Sequence, residues 1–562
     1  MRIASIVATS LALSVPAHAQ VISRVSVDSN GVEGNGDSGV HIQYEQRTVA
    51  LSADGTVVAF TSAASNLVAG DTNGQIDVFV FDQTAGTIER VSVDSAGIEA
   101  NDESFAPMLS ADGKCVAFWS RATNLVAGDT NGWADSFVHD RSTGITERVS
   151  LNTAGVQGNK GSYRAALSAD GTLVAFESDA TNFVSGDGNA GTDIFVRDRV
   201  AGRTTCVSLN FSGGGPAGLS FNPDISSDGR YVVFNSRATG IVAGDTNGAG
   251  DIFVHDTTAK TTTRVSVDSA GAQANFASSM ARISADGSTV AFMSYASNLV
   301  TGDTNDCGDV FVHEMASGVT ERLSIDPSGG DANASSDSPA LSTDGRFASF
   351  QSDATNLVPN DANSVSDVFL RDRSAGTTAL LSVDFSNVPA NDRSNDAVLS
   401  SDAKVAAFAS VATNLVNGDG NGVCDVFLDD VSALQTPASW NNYGVGFAGT
   451  NGVPTFTPSA NPVLGAPLSL DIGNSSGTWT VALALLGTQS ASIPTRAGGT
   501  LLLIPALSVF LPLTPTGGSV NGTVPPDAAL YGVSLFAQVL EIDSGAAYGM
   551  SFTAGLELIF GR

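Results

Sequence analysis

Along most of the chain, short apolar runs alternate with clusters of turn-forming residues, and the alternation is regular. Between Ala106 and Leu151 the runs are A-P-M-L-S, C-V-A-F-W-S, D-S-F-V-H-D and I-T-E-R-V-S-L, separated by a D-G turn, a long Asn/Gly-rich connection and D-R-S-T-G. Runs this short, rich in Val, Phe and Thr and bounded by turn residues, predict β-strands. No stretch carries the 3.6-residue period of an amphipathic helix.

The four-strand unit recurs every 58 residues. The S-x-D-G turn places its acid at Asp54, Asp112, Asp170, Asp228, Asp286 and Asp344, with a D-A variant at Asp402. An N-L-V type segment follows at Asn66, Asn124, Asn182, Asn298, Asn356 and Asn414, with Gly240 in the remaining slot. Two Phe positions hold in all seven copies, beginning with Phe60 and Phe79 and ending with Phe408 and Phe427. Seven gap-free four-stranded copies predict a seven-bladed β-propeller, with the two Phe packing between neighbouring blades. A β-solenoid is the rival architecture, but its repeats are usually shorter.

The ends of the repeat array complete each other. The seventh copy runs through Asp425-Val426-Phe427-Leu428 and leaves without a fourth strand, while Ile22 to Asp28 supply the missing R-V-S-V-D strand at the other end. An N-terminal strand in the last blade would clasp the ring and remove an exposed edge. The chain therefore divides into residues 1–20, a propeller over 21–434 and a further domain over 435–562.

The core S-x-D-G-x-x-V-A-F-x-S followed by D-V-F-V-x-D resembles the propeller repeat of TolB-type periplasmic proteins, a WD-like repeat. That family usually has Pro before the D-G, and here all seven copies carry Ala, Thr or Ser. The resemblance implies the fold. It says little of function, because such propellers serve as docking platforms and as enzyme appendages alike.

Residues 1–20, M-R-I-A-S-I-V-A-T-S-L-A-L-S-V-P-A-H-A-Q, have a charged start, an apolar stretch and small residues flanking His18, the pattern of a Sec-type signal peptide cleaved near Ala19. This predicts a secreted or periplasmic bacterial protein. No membrane span is expected: the most apolar later stretch, Leu501–Leu513, is too short and holds two prolines. Cys115, Cys206, Cys307 and Cys424 have no C-x-x-C spacing, so neither a zinc site nor a disulfide framework is expected. With 26 basic against 57 acidic residues and a net charge of −31, the chain cannot neutralise a run of phosphates, which argues against a nucleic-acid partner.

Candidate chemistry concentrates in the long connection between the second and third strands. It carries D-x-N-x-x-x-D seven times: Asp71, Asn73, Asp77; Asp129, Asn131, Asp135; Asp187, Asn189, Asp193; Asp245, Asn247, Asp251; Asp303, Asn305, Asp309; Asp361, Asn363, Asp367; and Asp419, Asn421, Asp425. Oxygen donors at alternate positions suit a hard cation such as Ca²⁺, although each loop offers two carboxylates and Ca²⁺ takes six to eight oxygens. The other reading is an Asx-turn that caps backbone N–H groups and orders the strand entrance. Both long connections should share one face of the propeller and the two tight turns the other, which makes the long-loop face the place for a protein or glycan ligand. Loop aromatics such as Trp133 and Tyr163 are suited to stacking on sugars or to packing at the rim.

Catalytic patterns are weak. G-N-S-S-G over Gly473–Gly477 matches a nucleophile elbow around Ser475, but His18, His41, His139, His255 and His313 all precede it, contrary to the hydrolase order. His139, His255 and His313 share a repeat position filled elsewhere by Phe81, Arg197, Arg371 and Asp429, which reads as a solvent-facing position.

After Asp430 the composition changes, and apolar runs bounded by Gly and Pro predict a β-sandwich of about seven to nine strands. Pro462–Ile472 with Tyr531–Asp543 resembles a C-terminal module of exported planctomycete-type bacterial proteins, a family without established chemistry. Three functions follow as expectations: a secreted non-catalytic scaffold binding protein or glycan, an extracellular polysaccharide hydrolase or lyase using carboxylates of the long-loop face, and a structural cell-envelope component.

Overall fold

Every predicted run from the first repeat to the last forms a strand, and the strands assemble into seven four-stranded antiparallel sheets. The computed structural model describes residues 21–39, 47–211, 215, 217–359, 361, 363–384, 386–435, 439–464, 466–524, 530 and 533–561; the expected signal peptide and His41 lie outside them. The chain forms two compact units, Val21–Val431 and, among the described residues, 432–561.

The seven sheets are the blades of a β-propeller. They are numbered by their first strands, which begin at Val49, Ser104, Ser162, Ser220, Ser278, Ser336 and Ser394. In blade 2 the strands are Ser104–Leu109, Cys115–Ser120, Asp135–Asp140 and Ile145–Arg148, hydrogen-bonded in chain order. First strands of neighbouring blades pack on one another around the whole circle, including the first against the seventh, so they line the axis. Val21–Arg24 pairs with Asp425–Asp430 as the fourth strand of blade 7, Val21 opposite Asp430 and Arg24 opposite Phe427.

Two devices hold the ring. The repeated Phe pair stacks within each blade, for example Phe118 on Phe137 at 5.8 Å between ring centroids. These rings also fill the groove of the preceding blade: Phe118 and Phe137 pack with Ala59, Val78 and Val80 of blade 1. Small Ala59 opposite a large ring is what close packing of twisted sheets requires. On the other side, the S-x-D-G turns are linked blade to blade by backbone hydrogen bonds: Ala53 to Ala111, Ala111 to Ala169, Ala169 to Ser227, Ser227 to Ala285, Asp286 to Thr343, Thr343 to Ser401 and Ser401 back to Ala53. This circle closes on itself. Gly113 shows why the turn needs glycine: its φ is +68°, and an added Cβ would stand 2.9 Å from Val57 of the preceding blade.

In the propeller the structure departs from the sequence reading in three respects. The fourth strand ends at Arg148, not Leu151, because Ser150 turns inward and donates to Asp135 at 2.6 Å. The first strand begins earlier, at Ser104, and carries a bulge that puts Ala106 at a φ of 51°. The third correction concerns the shared histidine position, which is buried rather than solvent-facing: His139, His255 and His313 are only 5%, 5% and 7% exposed. Each ring's Nδ1 meets a threonine hydroxyl, Thr146, Thr262 or Thr320, at 2.8–2.9 Å. Thr146 in turn donates to the Val93 carbonyl of the loop leaving blade 1, so the neighbouring blade covers the site.

The second unit holds eleven strands among the described residues, more than predicted because several are very short, such as Phe456–Pro458 and Met550–Phe552. A six-stranded and a three-stranded sheet share one core, with Leu468, Leu470 and Val520 from one side meeting Ala482, Leu535 and Val539 from the other. Two sheets on one core make a β-sandwich.

Candidate functional site

The D-x-N-x-x-x-D loops adopt one geometry seven times. In blade 1, Asn73 Oδ1 accepts the N–H of Gln75 at 2.8 Å, closing an Asx-turn, and its Nδ2 donates to Asp77 Oδ2 at 2.9 Å. The same two bonds recur at Asn131, Asn189, Asn247, Asn305, Asn363 and Asn421. The second Asp is buried and takes a serine hydroxyl from the R-V-S-V-D strand end: Ser92 to Asp77 and Ser26 to Asp425, both at 2.5 Å.

The arginine of that strand end completes the unit. Arg90 Nη1 lies 3.2 Å from Asp71 and 3.5 Å from Asp77, and 2.9 Å from Glu99. Arg24, Arg148, Arg264 and Arg322 bridge the corresponding pairs in blades 7, 2, 4 and 5. In these five loops a guanidinium fills the space between the two carboxylates, and the two repeated motifs are halves of one buried ionic cluster. Each loop brings together two carboxylates, and among the described residues no group of three or more His, Cys, Asp or Glu is placed to hold a metal ion.

Blades 3 and 6 have Cys206 and Leu380 where the others have arginine. Blade 3 compensates: Asp193 gains the backbone N–H of Gly218 at 2.9 Å, and the charge of Lys160 favours ionised Asp187. Burial and the neighbouring Asp193 nonetheless push Asp187 up to about 6. In blade 6, Asp361 is 7% exposed, and neither of its carboxylate oxygens has a hydrogen-bond partner among the described residues. Burial pushes Asp367 up to about 6 despite bonds from Ser382 and Asn363, and the Asp361 charge adds to the shift.

A cleft of about 850 Å³ opens on the long-loop face across blades 2 to 5. Its residues come from strand ends and loop starts, where the copies diverge. Trp119 takes the place of Thr61 and Ala409 in other blades, Tyr295 that of Val411, and Trp133 that of Gln75. The Asx-turn of Asn131 fixes Trp133 by accepting its N–H at 2.9 Å, leaving the indole 52% exposed. Trp119 is wedged between Phe105 at 4.7 Å and the edge of Tyr163 at 5.6 Å, with the Arg121 guanidinium 5.9 Å from the indole centroid. Tyr163 fits because residue 161 is glycine: an added Cβ would stand 2.1 Å from the tyrosine hydroxyl.

Polar groups line the same walls. Glu177 accepts the N–H of Asn222 at 2.8 Å and so holds that residue at a φ of 54°. Asp179 accepts the hydroxyl of Thr192 at 2.6 Å. Burial, with the charges of Asp179 and Glu177, raises the Tyr163 phenol above its usual value. Trp119 Nε1 and Asn235 Oδ1 have no partner among the described residues. Flat aromatic faces beside hydrogen-bonding groups of both signs can hold a ligand with apolar faces and many hydroxyls. The sequence pointed to Trp133 and Tyr163 but missed Trp119, Tyr295, Arg237 and Asn235; the signal was available as departures from the repeat at two positions, one shared by Trp119 and Asn235 and one by Arg237 and Tyr295.

Ser475 of the G-N-S-S-G segment is buried at 3% exposure. Its hydroxyl lies 2.7 Å from Glu541, 3.2 Å from Asp543 and 2.7 Å from Ser551, and its N–H donates to Glu541. The carboxylates tie this loop into the sandwich, and the arrangement is that of a structural serine.

No family model matches the chain, and no curated protein matches it. Among solved structures it is similar to a putative TolB from Agrobacterium tumefaciens, at 18% identity over 49% of this chain and 79% of that one, TM-score 0.31. The acylaminoacyl peptidase of Pyrococcus horikoshii matches at 11% identity over 78% of this chain and 58% of the peptidase, TM-score 0.39. The WD40 repeats of RRP9 match at 9% identity over 73% of this chain and 99% of theirs, TM-score 0.35.

Proposed function

We propose that this chain is a secreted, non-catalytic binding protein whose propeller takes a glycan in the long-loop cleft of blades 2 to 5. The observation that carries this reading is that the exposed Trp133 and Tyr295 and the half-buried Tyr163 meet in one cleft over the buried Trp119, with Trp119, Trp133 and Tyr295 standing where blade 1 has Thr61, Gln75 and Ala63. Sugar rings present C–H faces to aromatic rings, while Arg121, Arg237, Asp179 and Asn235 offer donors and acceptors to the hydroxyls. A ligand spanning four unlike blades meets an asymmetric surface, which favours one orientation. Export by the signal peptide places the protein among extracellular polysaccharides.

The second reading, a hydrolase or lyase, draws on Asp102, Glu177 and Asp179 of the same cleft. Against it, Glu177 and Asp179 are engaged in bonds that shape the walls. A panel of extracellular polysaccharides, assayed for binding by affinity electrophoresis and for release of reducing or unsaturated ends, separates the readings. The expected result is retardation on at least one polysaccharide without turnover, weakened at least about fivefold by Trp133→Ala, since truncating an aromatic anchor of an interface costs more than about 1 kcal/mol. Turnover would establish the enzyme reading; neither retardation nor turnover would leave the structural cell-envelope role.

A further inference from the structure

The seven loops are near-copies of one ionic cluster, and blade 6 departs from it in a specific way. Both carboxylates of the pair are kept, as Asp361 and Asp367, while the bridging arginine has become Leu380. The arginine's third acceptor has gone too: the position of Glu33, Glu99 and Asp331 is Pro389. What remains is a pair of buried acids from which the cation and its accessory anion have both been removed.

Buried charge without a counter-charge is costly, and chains lose such groups or pair them. Blade 3, the other blade without arginine, pairs them with the Gly218 N–H and the field of Lys160. Blade 6 has no equivalent among the described residues. Asp361 is only 7% exposed, neither of its carboxylate oxygens accepts a hydrogen bond among the described residues, and the dipole of the Asn363 backbone N–H is the one favourable influence on its charge. Asp367 is fully buried; Ser382 and Asn363 each donate to it, and among the described residues no basic side chain acts on either acid.

We infer that the Asp361–Asp367 pair of blade 6 binds one divalent hard cation, of the Ca²⁺ class, in the space that a guanidinium fills in five other blades. Asp361 supplies both oxygens, Asp367 supplies Oδ2, and water and backbone carbonyls complete the shell. All-oxygen donors select Ca²⁺ over softer metals. The other loops do not compete, because their carboxylates already hold arginine or the blade 3 substitutes. With two carboxylates, the site belongs to the weak class of extracellular calcium modules, half-saturating at about 0.1–1 mM.

The test is equilibrium dialysis of the purified full chain against radioactive Ca²⁺ near neutral pH, with thermal unfolding in Ca²⁺ and in EDTA. The expected stoichiometry is about one ion per chain, with a melting point that falls in EDTA. Leu380→Arg restores the residue used by five sister blades, so it should abolish uptake while keeping in EDTA the melting point of the calcium-loaded parent. Asp361→Asn should abolish uptake, and Asp71→Asn in blade 1 should leave it unchanged. Absence of uptake up to about 10 mM, well above the range of such sites, would overturn the inference. So would uptake indifferent to Leu380→Arg, or a melting point that follows only pH near 6, the mark of a proton shared by the acids.

Discussion

Arg148→Leu tests whether the repeated ionic cluster supports the fold, since it converts blade 2 to the blade 6 arrangement. Arg148 Nη1 stands 3.3 Å from Asp129 and 3.1 Å from Asp135, and the three side chains are 9%, 2% and 0% exposed. At an effective dielectric of about 20, each contact is worth about 5 kcal/mol of attraction, offset by desolvation of the three charges. Removing only the cation deletes the attraction and leaves two desolvated carboxylates. The expected cost is about 3–5 kcal/mol. Arg121→Ala is the control: its partner Glu103 is close, at 2.6 Å, but the arginine is 51% exposed, so the loss should stay below about 1 kcal/mol. The assay is urea unfolding of the full chain in EDTA, followed by Trp fluorescence. Adding Asp129→Asn to Arg148→Leu removes one stranded charge and should recover part of the loss. If Arg148→Leu costs no more than Arg121→Ala, the cluster is a surface ornament and the reasoning fails.

Three further outcomes are expected. Phe118→Ala, which empties a fully buried ring site between blades 1 and 2, should cost about 3–5 kcal/mol in the same unfolding assay, whereas Val200→Ala at 82% exposure should be near neutral. His255 is held down to about 4 by burial, first of all, with Lys260 adding to it, so the unfolded chain takes up its proton first. Its contribution is whole above about pH 6.5 and is lost as pH falls toward 4, by at most about 3 kcal/mol; His255→Gln should flatten that part of the pH–stability profile. Burial, with the charge of Asp430, raises Asp429 well above the carboxylate range, and neither of its oxygens has a partner among the described residues. The wild type therefore loses stability as pH rises above about 4, where the unfolded carboxyl ionises first. Asp429→Asn should be more stable at pH 7 by about 1–3 kcal/mol, an advantage that disappears in acid.

The blade architecture was legible because its causes are local. Alternating apolar positions, the D-G turn and the Phe pair each act within a few residues, and seven repetitions average out the errors of any one copy. What escaped lies between blades or across a blade. His139 looked exposed because its cover is Val93 and Thr146, a carbonyl of one blade and a hydroxyl of the next. The arginine cluster was missed because Arg148 and Asp135 sit 13 residues apart on the third and fourth strands, and the turn reading stopped at the loop. The cleft was half-seen: Trp133 and Tyr163 belong to loops and stood out, but Trp119 reads as one more apolar residue of a strand until blades 2 and 3 come together.

These failures have one lesson about where function sits in a repeat protein. Positions that hold in every copy are spent on closing the ring: the two Phe, the Ser and Asp of the turns, the Asn of the Asx-turn. A ligand site must then come from the positions that vary. At Asn131 the two are joined, because the invariant side chain that orders the loop also accepts the N–H of Trp133, which no other blade possesses. The loop sequence allows two readings, a hard-cation site and an Asx-turn, and at Asn131 the turn is also a pedestal for the indole ring. The same reasoning separates the acidity of the chain from its ligand. Most of the repeated acids serve turns and arginine clusters, while the cleft sets Arg121 and Arg237 beside Asp179. The net charge of −31 therefore belongs to the frame, and the charge that the proposed ligand would meet is decided by a few residues at blades 2 to 5.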